Sequence, residues 1–127
     1  MEFIRRETIV VLSNSGVQSE QLLFSENSAS ERVTITRVTV PPGLSNPRHS
    51  HESSEQIWVA LSGHATLLLS GTETHQFRAG DVVRFVDRDI HGITNSGAEP
   101  FVYISVTAPP INFRAAYAAG WKDDAKI

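Results

Sequence analysis

There is no cysteine in the 127 residues, and that absence excludes disulfide staples and thiolate metal ligands together. Any metal held by this chain is held by nitrogen and oxygen, which favours one mid-row divalent ion such as Zn, Ni, Fe, Mn or Co. Excess charge of one sign is missing too: 11 Lys and Arg stand against 14 Asp and Glu, for a formal net charge of −3. The basic residues are scattered rather than massed, so nucleic acid is not an expected partner. No apolar run approaches the roughly 20 residues of a membrane span. The opening MEFIRRETIV has no signal-peptide core, so no membrane partner and a cytoplasmic location are expected.

What is present is an ordinary globular balance, 40% hydrophobic and 20% charged, in a length that suits a single domain over 1–127 with a core of its own. Short β-prone runs follow one another with Gly and Pro turns between them. The clearest is Val33 to Val40, rich in β-branched residues and stopped by Pro41-Pro42-Gly43. Further strands are expected at Glu7–Leu12, Gln21–Ser25, Gln56–Leu61, His64–Leu69, Glu73–Phe77, Asp81–Val86 and Phe101–Val106. Hardly a helical period interrupts them, so the pattern indicates an all-β sandwich or small barrel, with its core at about 30–108. Only the tail offers a helix. Asn112 is a plausible N-cap for NFRAAYAA, and Gly120 is a natural stop. The apolar residues Phe113, Ala116, Tyr117 and Trp121 are placed to lie against the barrel wall or a partner subunit.

The stretch Pro41 to Gly63 carries the chemistry. His49 and His51 are two residues apart, so in an extended segment both imidazoles point the same way and can converge on one ion. Glu55 and Gln56 follow, and either is close enough in sequence to return as a further ligand. Pleat parity groups Glu55 with Ile57, Val59 and Leu61, and Gln56 with Trp58, Ala60 and Ser62, and leaves the choice open.

These residues resemble the cupin family. Gly43, His49, His51, Gln56 and Gly63 match the spacing of the first cupin motif, and Gly80, His91 and Asn95 that of the second. Val86 and Arg88 stand where the second motif usually has Pro and Gly, so the corner before His91 is expected to be shaped differently. The resemblance implies a double-stranded β-helix (jelly-roll) barrel with a short C-terminal helix. It also implies one divalent metal held by His49, His51, His91 and Gln56, with Glu55 the competing ligand.

Among cupins, a Gln in this position is similar to enzymes that linearise unsaturated uronates, to polyketide cyclases and to hydroxynitrile lyases. The implied function is therefore Lewis-acid and proton-transfer chemistry on a small oxygenated metabolite, of isomerase, cyclase or lyase type. An Fe- or Ni-dependent dioxygenase and a non-catalytic binding barrel are the alternatives. Tyr103, which shares a strand face with Ser105, and Arg37, in the middle of its strand, are the candidate catalytic residues. Arg37 would orient a substrate carboxylate, or else point outward into a dimer salt bridge. A homodimer is expected from the resemblance to small cupins.

Overall fold

The computed structural model describes residues 1–127. After a single 3-10 turn at Arg6–Thr8, the chain forms strands β1 (Val10–Asn14), β2 (Val17–Leu23), β3 (Thr34–Val40), β4 (Ser45–Ser50), β5 (Glu55–Ser62) and β6 (His64–Leu68). Strands β7 (Thr74–Arg78), β8 (Val82–Phe85), β9 (His91–Thr94) and β10 (Phe101–Ala108) follow. Helix α1 (Phe113–Ala119) and the short β11 (Ala125–Lys126) complete it. Two sheets face each other, one ordered β1-β2-β3-β10-β5-β8 and the other β11-β4-β9-β6-β7. This is the double-stranded β-helix. No helix is long and apolar enough to cross a membrane.

Burial alternates along the central strands as a pleat requires: in β3 Thr34, Thr36, Val38 and Val40 point in, and Ile35, Arg37 and Thr39 point out. The register then sorts the interior along the barrel axis. Phe101 pairs with Val40 and Tyr103 with Val38, while Ser105 pairs with Thr36 and Thr107 with Thr34. On the other side Tyr103 meets Ala60 and Thr107 meets Gln56. One end of the barrel is therefore filled by apolar side chains, including Trp58, Phe77, Phe85 and Ile93. The other end is lined by buried Ser19, Gln21, Thr34, Thr36, Ser105 and Thr107.

The expectation at Glu7–Leu12 needs correction at its start. The strand begins only at Val10, because residues 6–8 close a 3-10 turn in which Thr8 N–H and its hydroxyl both donate to the Arg5 carbonyl. The His-x-His stretch is itself a strand, β4, interrupted by a bulge between Asn46 and His49 where the pairing to β9 shifts. Pro47 sits in that bulge, where its missing N–H costs no ladder bond. The pairing resumes with His49 directly opposite His91.

Gly92 makes the bulge possible. A Cβ there would lie 2.8 Å from the Asn46 carbonyl oxygen and 2.9 Å from the Arg48 nitrogen. Both neighbours are backbone, so neither can swing aside. Gly92→Ala is expected to cost about 1–3 kcal/mol in a urea unfolding experiment, and an unchanged midpoint would show that β4 does not rest on β9 at this point.

Candidate metal centre

Four side chains converge from both sheets. His49 lies on β4, His51 just beyond it, His91 opens β9, and Gln56 lies on the inner face of β5. They are 4%, 2%, 1% and 4% exposed respectively. Ligand atoms of the three histidines lie within 4.8 Å of one another. Their ring centroids are 5.1 Å (His49 to His51), 4.4 Å (His49 to His91) and 5.0 Å (His51 to His91) apart.

Main-chain carbonyls fix which nitrogen of each ring carries its proton. His49 Nδ1 lies 2.8 Å from the Pro47 oxygen, His91 Nδ1 2.8 Å from the Asp89 oxygen, and His51 Nδ1 3.2 Å from the Ile127 oxygen. A carbonyl only accepts, so each Nδ1 is the donor and each Nε2 presents a lone pair. The Gln56 carboxamide is oriented with equal definition: its Nε2 donates to the Thr107 hydroxyl at 2.9 Å, and its Oε1 accepts from Trp58 Nε1–H at 3.0 Å. That oxygen faces His91 Nε2 at 3.1 Å. Two acceptors at this distance repel unless a proton or a cation lies between them. His51 Nε2 is buried with no partner at all. A divalent cation satisfies all of these lone pairs at once, and the all-nitrogen-and-oxygen donor set suits a mid-row ion.

A shared proton is the weaker solution. Burial pushes His49 down to about 4, and burial, with the repulsion that more than one imidazolium in the cluster would meet, drives His91 well below the ordinary imidazole value. His51 is lowered as well, chiefly by burial. The rings stay neutral.

The structure separates the other candidates. Glu55 points out of the barrel and pairs with Arg84 at 2.6 Å, so the carboxylate is absent from the cluster and the carboxamide is in it. Arg37 is corrected outright as a substrate-orienting residue. It stands on the outer face of β3 and forms a two-pronged ion pair with Glu20, at 2.7 and 2.8 Å. Tyr103 does face inward, fully buried between Trp58 and Phe101. Burial, and then the proximity of Tyr117, push its hydroxyl above the usual phenol range, against a smaller opposing effect of Asn46. Asn95 pins the loop after β9, donating to the Val40 and Glu99 carbonyls and accepting from Gly97 N–H.

The corner before His91 also differs from expectation. Arg88 takes φ +70, the left-handed conformation that glycine adopts without strain, and donates its N–H to the His51 carbonyl at 2.7 Å. The turn that a glycine would make is made by an arginine, held in place by the strand it feeds.

The tail lies against the barrel, one of the two places expected for its apolar residues, but its place beside the histidines was not foreseen. Phe113, Tyr117, Trp121 and Ile127 line the small interior space beside His49 and Gln56, together with Thr36, Asn46, Tyr103 and Ser105. A larger cavity, about 630 Å³, lies elsewhere, between the unpaired edges of β7 and β8. Volume does not mark the chemistry here, since no cluster of ligating side chains converges in that groove. Its inner wall, Phe85, stacks on His91 at 4.4 Å.

Known proteins show the same frame. The sequence model of a family described as "Cupin domain" matches residues 36–107. An uncharacterized protein of Methanocaldococcus jannaschii is 24% identical over 99 residues, which is 78% of each chain. The polyketide cyclase RemF from Streptomyces resistomycificus superposes with a TM-score of 0.72 at 19% identity, covering 85% of this chain and 79% of that one. A "predicted oxalate decarboxylase" from Thermotoga maritima also gives 0.72, at 24% identity over 84% of this chain and 98% of that one. At these identities the likeness is one of fold.

Neutral buried histidines give the metal-free protein a defined pH response. Unfolded histidine takes up its proton near 6.5, whereas folded His49 resists it down to about 4. Between these values the unfolded state binds more protons, so stability falls as pH falls. Metal-free protein titrated from pH 7 to 4 is expected to lose up to about 1.4 kcal/mol per pH unit for each such histidine. A flat stability profile in denaturant melts would show that the rings are not held neutral.

Proposed function

The chain belongs to the cupin family, and from that premise we propose that it is a metal-dependent enzyme acting on a small, uncharged oxygenated metabolite by proton transfer. The observation that carries the reading is the Gln56 oxygen held against His91 Nε2. His49, His51, His91 and Gln56 would hold one divalent ion, Zn, Ni, Fe, Mn or Co. When bound, it would supply Lewis-acid polarisation of a carbonyl or hydroxyl oxygen, undiminished by any carboxylate ligand.

The chain's own residues set the rest of the chemistry. Tyr103, kept protonated by its burial, serves as a hydrogen-bond donor to the polarised oxygen rather than as a base. Trp58 lies 4.4 Å from it, ring to ring, and fixes its direction while holding the Gln56 oxygen in place. The interior surface around them carries Ser19, Thr36, Asn46 and Ser105 and no charged side chain. With Arg37 outside, nothing in that lining is suited to a carboxylate or phosphate, which is why the proposed substrate is uncharged at its recognised end. The fold neighbours include both a cyclase and a predicted decarboxylase, so the donor set decides between chemistries: a neutral carboxamide is ill suited to stabilising a higher oxidation state.

The decisive measurement is elemental analysis by plasma mass spectrometry. Wild type is expected to carry close to one divalent ion per chain and His51→Ala little. In a screen of uncharged ketones, lactones and enols, Tyr103→Phe is expected to lower turnover by about 10²-fold or more with the metal retained. Wild type that stays empty after incubation with each ion overturns the catalytic reading in favour of a metal-free binding barrel. Bound iron with substrate-dependent oxygen consumption would replace it with a dioxygenase.

We also propose a homodimer built on the outer face of the six-stranded sheet. Ile35, Ile57, Val59, Leu61, Val82 and Ile104 leave an apolar stripe there, with Leu61 48% and Val82 63% exposed. A contiguous apolar patch of this kind marks an interaction surface. Light scattering is expected to give twice the chain mass, and Val59→Asp to give a folded monomer. A monomeric wild type at micromolar concentration would remove this surface from consideration.

A further inference from the structure

Two of the three histidines are oriented locally, by carbonyls two residues earlier at Pro47 and Asp89. His51 is not. Its Nδ1 partner is the main-chain oxygen of Ile127, 76 positions along the chain. That oxygen is where it is because the tail is strapped to β4. Asp123 accepts from Arg48 N–H at 2.8 Å, Asp124 N–H donates back to the Arg48 carbonyl at 2.8 Å, and Ile127 N–H donates to the Ser50 carbonyl at 2.8 Å. Between them Ala125 pairs in parallel with His49 and Lys126 with Ser50. The strap thus runs directly alongside the His-x-His strand.

The same segment closes the mouth of the barrel. Gly120, at φ +68, turns the chain from α1 into the strap. Trp121 comes to 5.4 Å from His49, ring to ring, and Phe113 to 6.2 Å from His51. Trp121 Nε1–H donates to the Pro47 carbonyl, the one that holds His49. Beneath this cover the interior space beside His49 and Gln56 is only about 20 Å³, room for about one water. No metabolite fits there while the tail is docked. Asn46 Oδ1, buried in the wall that the cover faces, is left without a partner.

We propose that residues 113–127 are a gate whose closed state completes the metal centre. Docked, the tail supplies the carbonyl that fixes the His51 tautomer and seals the site. Undocked, it opens the polar wall to substrate and releases His51 from its restraint. The proposal rests on the metal-dependent reading above. Because each state of the gate binds the ion differently, the coupling is reciprocal: metal favours closure, and closure favours metal. Ile127 is a positioning residue in this scheme, acting through its backbone and not its side chain.

The test uses the full chain and Zn²⁺ alone, with affinity read by competition against a chromophoric chelator. Ile127→Pro removes the N–H that anchors the last residue to Ser50, and is expected to weaken Zn²⁺ binding about 10- to 100-fold, as loss of a partner behind a ligand does. Ile127→Ala keeps both main-chain groups and is expected to bind close to wild type, which a simple packing role would not predict. In wild type, Zn²⁺ is expected to slow hydrogen exchange at the Asp124 and Ile127 amides. This last readout needs no variant to fold. Should wild type bind Zn²⁺ with Ile127→Pro equally tight and tail exchange unaltered, the gate is overturned and the metal centre stands. Should wild type bind no Zn²⁺, both fall together.

Discussion

Lone pairs from three imidazoles and one carboxamide meet in a space closed to water, and every device around them serves to keep those lone pairs pointing inward. Carbonyls take the Nδ1 protons, Thr107 takes one amide hydrogen of Gln56, and Trp58 donates to its oxygen. Left alone, such an arrangement is unfavourable, because buried acceptors without donors carry their full desolvation cost. It persists because the frame around it is over-determined. The bulge at Pro47 seats on Gly92, and the Arg88 turn is tied to the His51 carbonyl. Strain is accepted at the centre and offset in the walls.

The walls can do so because the barrel is divided along its axis. Its apolar end stacks Trp58, Tyr103, Phe101 and Phe77 into one buried cluster. Full burial of each such side chain contributes roughly 1.5–3 kcal/mol. The other end gives up that contribution by placing Thr34, Thr36, Ser105 and Thr107 where larger apolar residues would fit. Trp58 stands at the boundary and belongs to both halves: its ring packs on Phe85 and Tyr103, and its one polar atom reaches Gln56. The last inward step of β5, from Trp58 to Gln56, is therefore the step from stability to chemistry.

This division explains what the sequence disclosed and what it concealed. His49, His51 and His91 were legible because their spacing carries meaning only when strands bring them together, and Gly63 gave the register that selects Gln56. Parity alone misled, since Ile57, Val59 and Leu61 form a stripe as apolar as any core, yet it lies outside. A sheet apolar on both faces hides its own orientation, and polar residues inside a barrel invert the usual rule. Arg37 was left open between the two faces for the same reason: apolar neighbours on its strand do not say which face an arginine takes, and its partner Glu20 comes from a different strand. The tail was the least legible part. Nothing in the sequence of 121–127 announces a strand, and its pairing with β4 exists only once β4 is in place.

Charge supplies the last step. With Glu55 turned outward, no carboxylate side chain stands among the ligand atoms, so the side chains facing a bound dication offer only dipoles. Their negative ends are the Gln56 oxygen and the imidazole Nε2 atoms, two of the rings being oriented by the Pro47 and Asp89 carbonyls. Dipoles alone leave a buried double charge under-compensated. In the proposed reading, the remaining negative charge would gather on the polarised oxygen of the bound molecule. Tyr103, unable to ionise in its surroundings, is then a fitting neighbour for such a molecule: it donates a hydrogen bond without adding a competing charge. The neutral lining, the outward turn of Glu55 and the protonated tyrosine all leave the negative charge, in the proposed reading, to the bound ligand.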